Sequence, residues 1–305
     1  MEYIEGTEFK YKNTAITLGK FDGIHLGHQL LLNKILEQKS KGMTSVMFTF
    51  SSHPQNFFLH KNMEMIYTLE EKRILLDKWG LDVLISFPFT QKTASIKAYD
   101  FVKDFLIGKL DGKVIVVGKD FRFGHNREGD VELLKELSKE FNFELVVFDK
   151  RQLKDQIVSS TIIRKALQEG NLEYGNQLLG KPFTIIGKVE HWRKIGRTLG
   201  FPTTNISPTA NKLLPPSGVY ASNTKIKGKV YPGLTNIGNN PTVGATKEKK
   251  VETYIFDFDE DLYGELLEVE ILKRFRPEIK FDTKDLLKEQ MEYDIIEGKN
   301  YFNLD

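Results

Sequence analysis

Short apolar runs punctuate the first half of the chain at Ala15–Leu18, Thr44–Phe50, Val83–Phe87, Val114–Val117 and Glu144–Val147. Stretches of helical period separate them, for example the i, i+4 pairs Leu31/Ile35 and Leu32/Leu36 and the stripe Val131, Leu134, Leu137, Phe141. Strand and helix in alternation predict a parallel sheet with crossover helices. Local chemistry agrees: Thr68 with Glu71 fits a capping box ahead of Leu75, Leu76 and Trp79, and Asp130 can cap the Val131 helix. Gly170 suits the residue just past a helix end.

Beyond Gly170 the pattern changes. Phe183–Glu190, Gly218–Ile226, Lys229–Asn236, Val251–Phe256 and Leu266–Phe275 read as strands with almost no helix between them, and Lys227-Gly228 makes a hairpin turn. A last helix starts near Asp282 and Thr283 and runs through Leu286, Leu287, Gln290 and Met291. The predicted architecture is an α/β, Rossmann-like domain over residues 1–181, followed by a small antiparallel β-barrel with a C-terminal helix over residues 182–305.

At 305 residues each half is large enough to bury its own core. The chain has 0 Cys, which excludes disulfides, thiolate metal sites and cysteine nucleophiles. A net charge of +2 from 44 basic and 42 acidic residues, with no long block of one sign, argues against nucleic acid as partner. No run approaches the roughly 20 apolar residues a membrane span requires, and the first residues lack a basic and apolar leader pattern, so a cytoplasmic protein with no membrane partner is expected.

Candidate chemistry collects where strands end. Gly19-Lys20-Phe21-Asp22-Gly23-Ile24-His25-Leu26-Gly27-His28 carries a strand into a helix, placing two imidazoles where unpaired N–H groups and the dipole favour phosphate oxygens. The plainer alternative for His25 and His28 is a helix-capping pair. Gly118-Lys119-Asp120-Phe121-Arg122-Phe123-Gly124 follows another strand, and Ser159-Ser160-Thr161-Ile162-Ile163-Arg164 opens a later helix. Phe48-Thr49-Phe50-Ser51-Ser52-His53-Pro54 is read as a packed strand with a turn, and Phe57 and Phe58 as core.

These motifs together resemble the nucleotidyltransferase superfamily, and specifically the FMN adenylyltransferase domain of bacterial FAD synthetases. The resemblance implies attack of the FMN phosphate on the α-phosphorus of ATP, with pyrophosphate released and no covalent enzyme intermediate. It makes His25 and His28 catalytic, and places Gly19, Phe21, Asp22, Gly23, Ser160, Thr161 and Arg164 around ATP. Asp120, at a position where related sequences carry Asn, falls near substrate or metal.

In the second half, Gly196-Arg197-Thr198-Leu199-Gly200-Phe201-Pro202-Thr203-Thr204-Asn205, Gly218-Val219-Tyr220, Asn236-Ile237-Gly238-Asn239-Asn240-Pro241-Thr242, Val251-Glu252-Thr253 and Asp257-Phe258-Asp259 closely resemble the riboflavin kinase domain. That resemblance implies ATP contacts at Gly196, Thr203 and Asn205, Mg²⁺ on Thr203 and Asn205, and Glu252 as the base that takes the proton of the ribityl hydroxyl. Glu278 is a competing carboxylate, read as structural or close to the flavin. Trp192, Arg193 and Lys194 stand where the family pattern has further glycines, and Thr204 replaces its common alanine.

The expectation is a bifunctional enzyme that uses ATP and Mg²⁺ to turn riboflavin into FMN, releasing ADP, and FMN into FAD. An adenylyltransferase with a weakly active kinase domain and a non-catalytic flavin-sensing protein are the alternatives.

Overall fold

The computed structural model describes residues 1–50, 63–190, 201–209, 211–239 and 249–304. The chain falls into two compact units, Met1–Ser160 and Thr161–Asp305.

The first unit is built on strands β1 (Glu2–Glu5), β2 (Thr14–Leu18), β3 (Thr44–Phe50), β4 (Val83–Phe87), β5 (Gly112–Gly118) and β6 (Glu144–Phe148), all parallel in the order β1-β4-β3-β2-β5-β6. Alternation along each strand feeds two cores. Ile16, Leu18, Val46, Phe48, Ile85 and Val117 pack on one face with Val131, Leu134 and Leu137 of the helix Val131–Phe141. Ala15, Met47, Leu84, Val114 and Val116 pack on the other with Leu31, Leu32 and Ile35 of the helix Leu26–Glu37 and Leu76 of the helix Leu69–Lys78. The sheet is thus covered on both faces, as parallel strands require. Because the chain passes from β2 outward to β3 and β4, then returns to lay β5 on the other side of β2, the sheet reverses direction at β2/β5. Open α/β sheets bind ligands at the carboxyl edge of such a point.

Both predicted caps are present. Thr68 and Glu71 form a reciprocal capping box, and Asp130 Oδ1 accepts the Leu133 N–H at 3.0 Å. The edge strand β1 and the helix Leu172–Leu179, which belongs to the second unit, are additions to the expected elements.

The first unit also holds a short antiparallel pair, β7 (Gln152–Leu153) and β8 (Gln156–Ile157), and in the second unit β9 (Phe183–Lys188), β10 (Thr203–Ile206), β11 (Gly218–Ile226), β12 (Lys229–Asn239), β13 (Lys249–Ile255) and β14 (Leu266–Pro277) form an antiparallel sheet ordered β10-β13-β12-β11-β14-β9. The sheet curls until its edges meet in a Val189–Ile206 bridge, reinforced by the Glu190 N–H on the Asn205 carbonyl at 2.9 Å. Lys227 and Gly228 make the predicted β11–β12 turn with φ of 48° and 81°, the doubly left-handed geometry that matches strand twist. The helix Lys284–Tyr301 covers part of the outer face. Gly298 permits the close approach, since a Cβ there would lie 2.8 Å from Phe256 Cζ. A bidentate pair from Arg276 to the buried Asp294, at 2.8 and 2.6 Å, ties helix to sheet.

Candidate active sites

Between β2 and the helix Leu26–Glu37 the backbone turns sharply, with φ of 49° at Phe21, 90° at Gly23 and 44° at Ile24. Left-handed backbone is costly for a β-branched residue such as Ile24. Burial holds it in place: Phe21 and Ile24 are fully enclosed and pack with Leu31, Leu32 and Ile35. Gly19 sits against the Phe21 ring, where a Cβ would lie 3.2 Å away. The buried Asp22 carboxylate accepts the N–H groups of Ile66 at 2.9 Å and Tyr67 at 3.4 Å, and the Asp22 carbonyl accepts the Ser160 hydroxyl at 2.8 Å. Asp22 thereby pins the loop to two distant segments.

The turn delivers the histidines as a stacked pair. Their ring centroids lie 3.6 Å apart with planes 14° from parallel, and the Phe21 ring meets His28 edge-on. His25 is the N-cap, its Nδ1 accepting the His28 backbone N–H at 3.3 Å. The capping reading and the phosphate-site reading are therefore compatible: Nδ1 is committed as an acceptor, so the proton of neutral His25 resides on Nε2 as a donor. Burial drives the His25 pKa down to about 4, and drives His28 well below its ordinary value, with the charges of His25 and Lys72 adding to the effect. His28 Nδ1 is buried with no hydrogen-bond partner among the described residues. Gly27 makes room for the stack, because a Cβ there would lie 3.3 Å from His25 Cε1 and Nδ1.

Ser160 opens the helix Ser160–Gln168, and Thr161 and Arg164 follow on it, Arg164 one turn beyond Ser160. Asp120, exposed past the end of β5, pairs with Lys150 at 2.9 Å beside a Lys119–Asp149 pair at 3.1 Å.

On the second sheet, the register sets Asn205 of β10 opposite Glu252 of β13, and Glu252 opposite Asn236 of β12. Directly opposed residues share a face, so Asn205, Glu252 and Asn236 form one polar row. Thr203, two residues from Asn205, lies on the same face, opposite Tyr254. The neighbouring register positions Thr253 and Thr235 point inward and are fully buried, joined through their hydroxyls at 2.9 Å. Desolvation raises the Glu252 pKa; Lys250 opposes that rise and Glu278 adds to it. Glu278 reaches the same strands, since a Cβ on Gly238 would meet its Oε1 at 2.8 Å and Asn236 Nδ2 at 3.4 Å. Asn205 Oδ1 is buried and without a hydrogen-bond partner among the described residues. An orphaned amide oxygen on the sheet face that also carries Thr203 suits a hard divalent cation such as Mg²⁺.

Gly196, Trp192, Arg193 and Lys194, together with Phe57, Phe58 and the 51–54 and 240–242 portions of their motifs, lie outside the described residues. Asn236, quoted within a motif but given no role, joins the row only through the β12–β13 register, which sequence spacing does not reveal.

The FAD synthetase family model matches residues 8–162, and the riboflavin kinase model matches residues 179–302. A bifunctional riboflavin kinase/FMN adenylyltransferase of Buchnera aphidicola subsp. Schizaphis graminum is 40% identical over 299 residues, covering 96% of this chain and 95% of that protein. The chain belongs to the bifunctional riboflavin kinase/FMN adenylyltransferase family. The Escherichia coli K12 member is 36% identical, covering 95% of this chain and 93% of its own. A crystal structure of a Streptococcus pneumoniae protein, described as a macrolide-efflux protein, shares the whole architecture: TM-score 0.81, 30% identity, 98% of this chain and 99% of that one. Among the described residues of this family member, no helix is long and apolar enough to cross a membrane.

Proposed function

We propose that this chain makes FAD in two steps, each in its own domain. Residues 182–305 transfer the γ-phosphoryl group of ATP to riboflavin, giving FMN and ADP, and residues 1–181 transfer AMP from a second ATP to FMN, giving FAD and pyrophosphate. The family matches, which end at 162 and resume at 179, support placing the division of labour near 181. The observation that carries the reading is that one chain holds both a desolvated carboxylate in a polar row, Glu252 between Asn205 and Asn236, and a stacked imidazole pair at a helix start. A protein that only sensed flavin would have no use for a carboxylate poised as a base.

In the kinase step, Glu252 accepts the proton of the ribityl hydroxyl as that oxygen attacks the γ-phosphorus and the bond to the ADP oxygen breaks. A raised carboxyl pKa brings the base closer to the operating pH. Thr203, through its hydroxyl, and Asn205, through the orphaned Oδ1, would hold Mg²⁺, which when bound would supply neutralising charge to the transferring phosphoryl group. Gly196 belongs to the same ATP loop by resemblance.

In the adenylyl step, an FMN phosphate oxygen attacks the α-phosphorus of ATP and the bond to the pyrophosphate oxygen breaks. His25 Nε2–H and His28 donate to the phosphate oxygens as charge builds there. The helix start at Ser160 and Thr161, with Arg164 one turn on, supplies further donors to the triphosphate, the Gly19–Gly23 turn gives it backbone room, and Asp120 lies toward substrate or metal. The expected compartment is the cytoplasm. Purified protein incubated with riboflavin, ATP and Mg²⁺ should yield both FMN and FAD on chromatography; FAD formed only from supplied FMN would mark a kinase domain that binds without turnover.

A further inference from the structure

Thr204 stands between Thr203 and Asn205, the two residues proposed to hold Mg²⁺, and takes the place of the alanine common at that position in the family pattern. Strand alternation turns its side chain away from their face and toward the barrel interior, where its hydroxyl donates to the Thr253 carbonyl at 3.3 Å. Thr253 directly follows Glu252, and its own hydroxyl meets that of Thr235, the residue before Asn236, at 2.9 Å. Thr235 in turn donates to the Ser222 hydroxyl at 2.7 Å. Each hydroxyl carries one proton, so Thr253 is the donor to Thr235 and the chain runs from β13 through β12 to β11. Asn205, Glu252 and Asn236 of the outer row thus each have a hydroxyl-bearing neighbour on the opposite face, and those neighbours, Thr204, Thr253 and Thr235, are bonded in series. Apolar side chains of the same shape would fill the barrel at little cost in stability; a satisfied network of buried hydroxyls instead specifies one arrangement of the strands. The tie matters most for β10, a strand of 4 residues at the end of the sheet, held on its other side by the Val189–Ile206 bridge and the bond from the Glu190 N–H to the Asn205 carbonyl. Asn205 Nδ2 reaches the Thr203 carbonyl at 3.5 Å and Oδ1 is left buried without a hydrogen-bond partner among the described residues, so where that oxygen points depends on where β10 sits.

We propose that Thr204 is a positioning residue for riboflavin phosphorylation: its hydroxyl locks the strand that carries Thr203 and Asn205 to the strand that carries Glu252, so that cation site and base keep one separation. The contact is made on the interior face, behind the row it aligns, and touches neither substrate nor metal. An alanine has no donor for this bond. The inference rests on the reading of Asn205 as a metal ligand and Glu252 as the base.

The test uses the full chain. Thr204→Val keeps the shape and removes the hydroxyl, whereas Thr204→Ser keeps the hydroxyl. At fixed ATP, Thr204→Val should need about 3- to 10-fold more Mg²⁺ for half-maximal riboflavin phosphorylation, the factor one neutral hydrogen bond is worth, with the melting temperature and FAD formation from FMN unchanged. Thr204→Ser should recover most of the shift, and Thr204→Ala should match Thr204→Val, so one folded apolar variant suffices. A second readout needs neither metal nor nucleotide: the backbone amides of β10 should exchange hydrogen faster in Thr204→Val by a similar factor, and at the unmutated rate in Thr204→Ser. An unmoved Mg²⁺ requirement, a serine that does not restore it, or β10 amides indifferent to the hydroxyl overturns the proposal. If Asn205→Leu raises the Mg²⁺ requirement while Thr204→Val does not, this inference alone fails. If Asn205→Leu leaves it unmoved as well, the underlying reading of the metal site fails with it.

Discussion

The His28 backbone N–H donates to Nδ1 of His25 across 3.3 Å, so one imidazole caps the helix that carries the other. The contact commits Nδ1 of the buried His25 as an acceptor and leaves Nε2 as the donor, while burial lowers the pKa of both rings. Structure and the proposed chemistry are coupled here: what orders the helix start also orients the imidazoles of the proposed phosphate site.

Acid should destabilise the first unit through this pair. His25 titrates near 6.5 in an unfolded chain and at about 4 when folded, so the folded state binds fewer protons between those values. Its contribution is fully present above pH 6.5 and is lost as pH falls toward 4, by roughly 2–3 kcal/mol. Urea titrations from pH 7.5 to 4.5 should show that loss, and His25→Gln, which cannot titrate, should lessen it, with His28 still contributing its own acid-side loss.

Gly27→Ala separates activity from stability. Alanine is the better helix former by up to about 1 kcal/mol, yet its methyl group would sit 3.3 Å from the His25 ring and turn it. FAD formation from FMN should drop about 10-fold, a loss expected of a slightly misplaced donor, with riboflavin phosphorylation and the melting temperature held or raised.

The kinase pH profile should report Glu252. Its carboxylate must be ionised to accept a proton, and burial and Glu278 lift its pKa above the usual 4.5, so the acid limb of kcat/KM should lie above that value. Removing the second carboxylate with Glu278→Gln should move the limb down. A limb that stays in place would assign the titration to another group.

Asn205→Leu removes the orphaned Oδ1 while keeping the volume. Riboflavin phosphorylation should then need far more Mg²⁺ for half-maximal rate, measured by titrating the metal at fixed ATP, and adenylylation should keep its metal dependence.

Much of this was legible in the residue pattern because the decisive signals are local. Lys227-Gly228 fixes a turn through backbone sterics, Thr68/Glu71 and Asp130 satisfy helix N–H groups within three residues, and strand alternation assigns each core face. The edge strand β1 escaped because it carries only Tyr3 and Ile4 between glutamates and owes its form to pairing with β4, some eighty positions away. The helix Leu172–Leu179 escaped because it follows directly on the turn at Gly170, with Asn171 as both its cap and the end of that turn. The burial of Lys72 had a visible signal, four residues before Leu76 on an apolar stripe, but a lysine at such a position is ordinarily read as snorkelling outward. The Asn205–Glu252–Asn236 row needs the register of three strands.

The central claim is that two independent sites work in one chain, and a pair of variants tests it most directly. With riboflavin, ATP and Mg²⁺ supplied and flavins resolved by chromatography, Glu252→Gln should make no FMN from riboflavin yet convert added FMN to FAD at the unmutated rate, while His28→Ala should accumulate FMN and make little FAD. Loss of both activities in either folded variant would contradict the account.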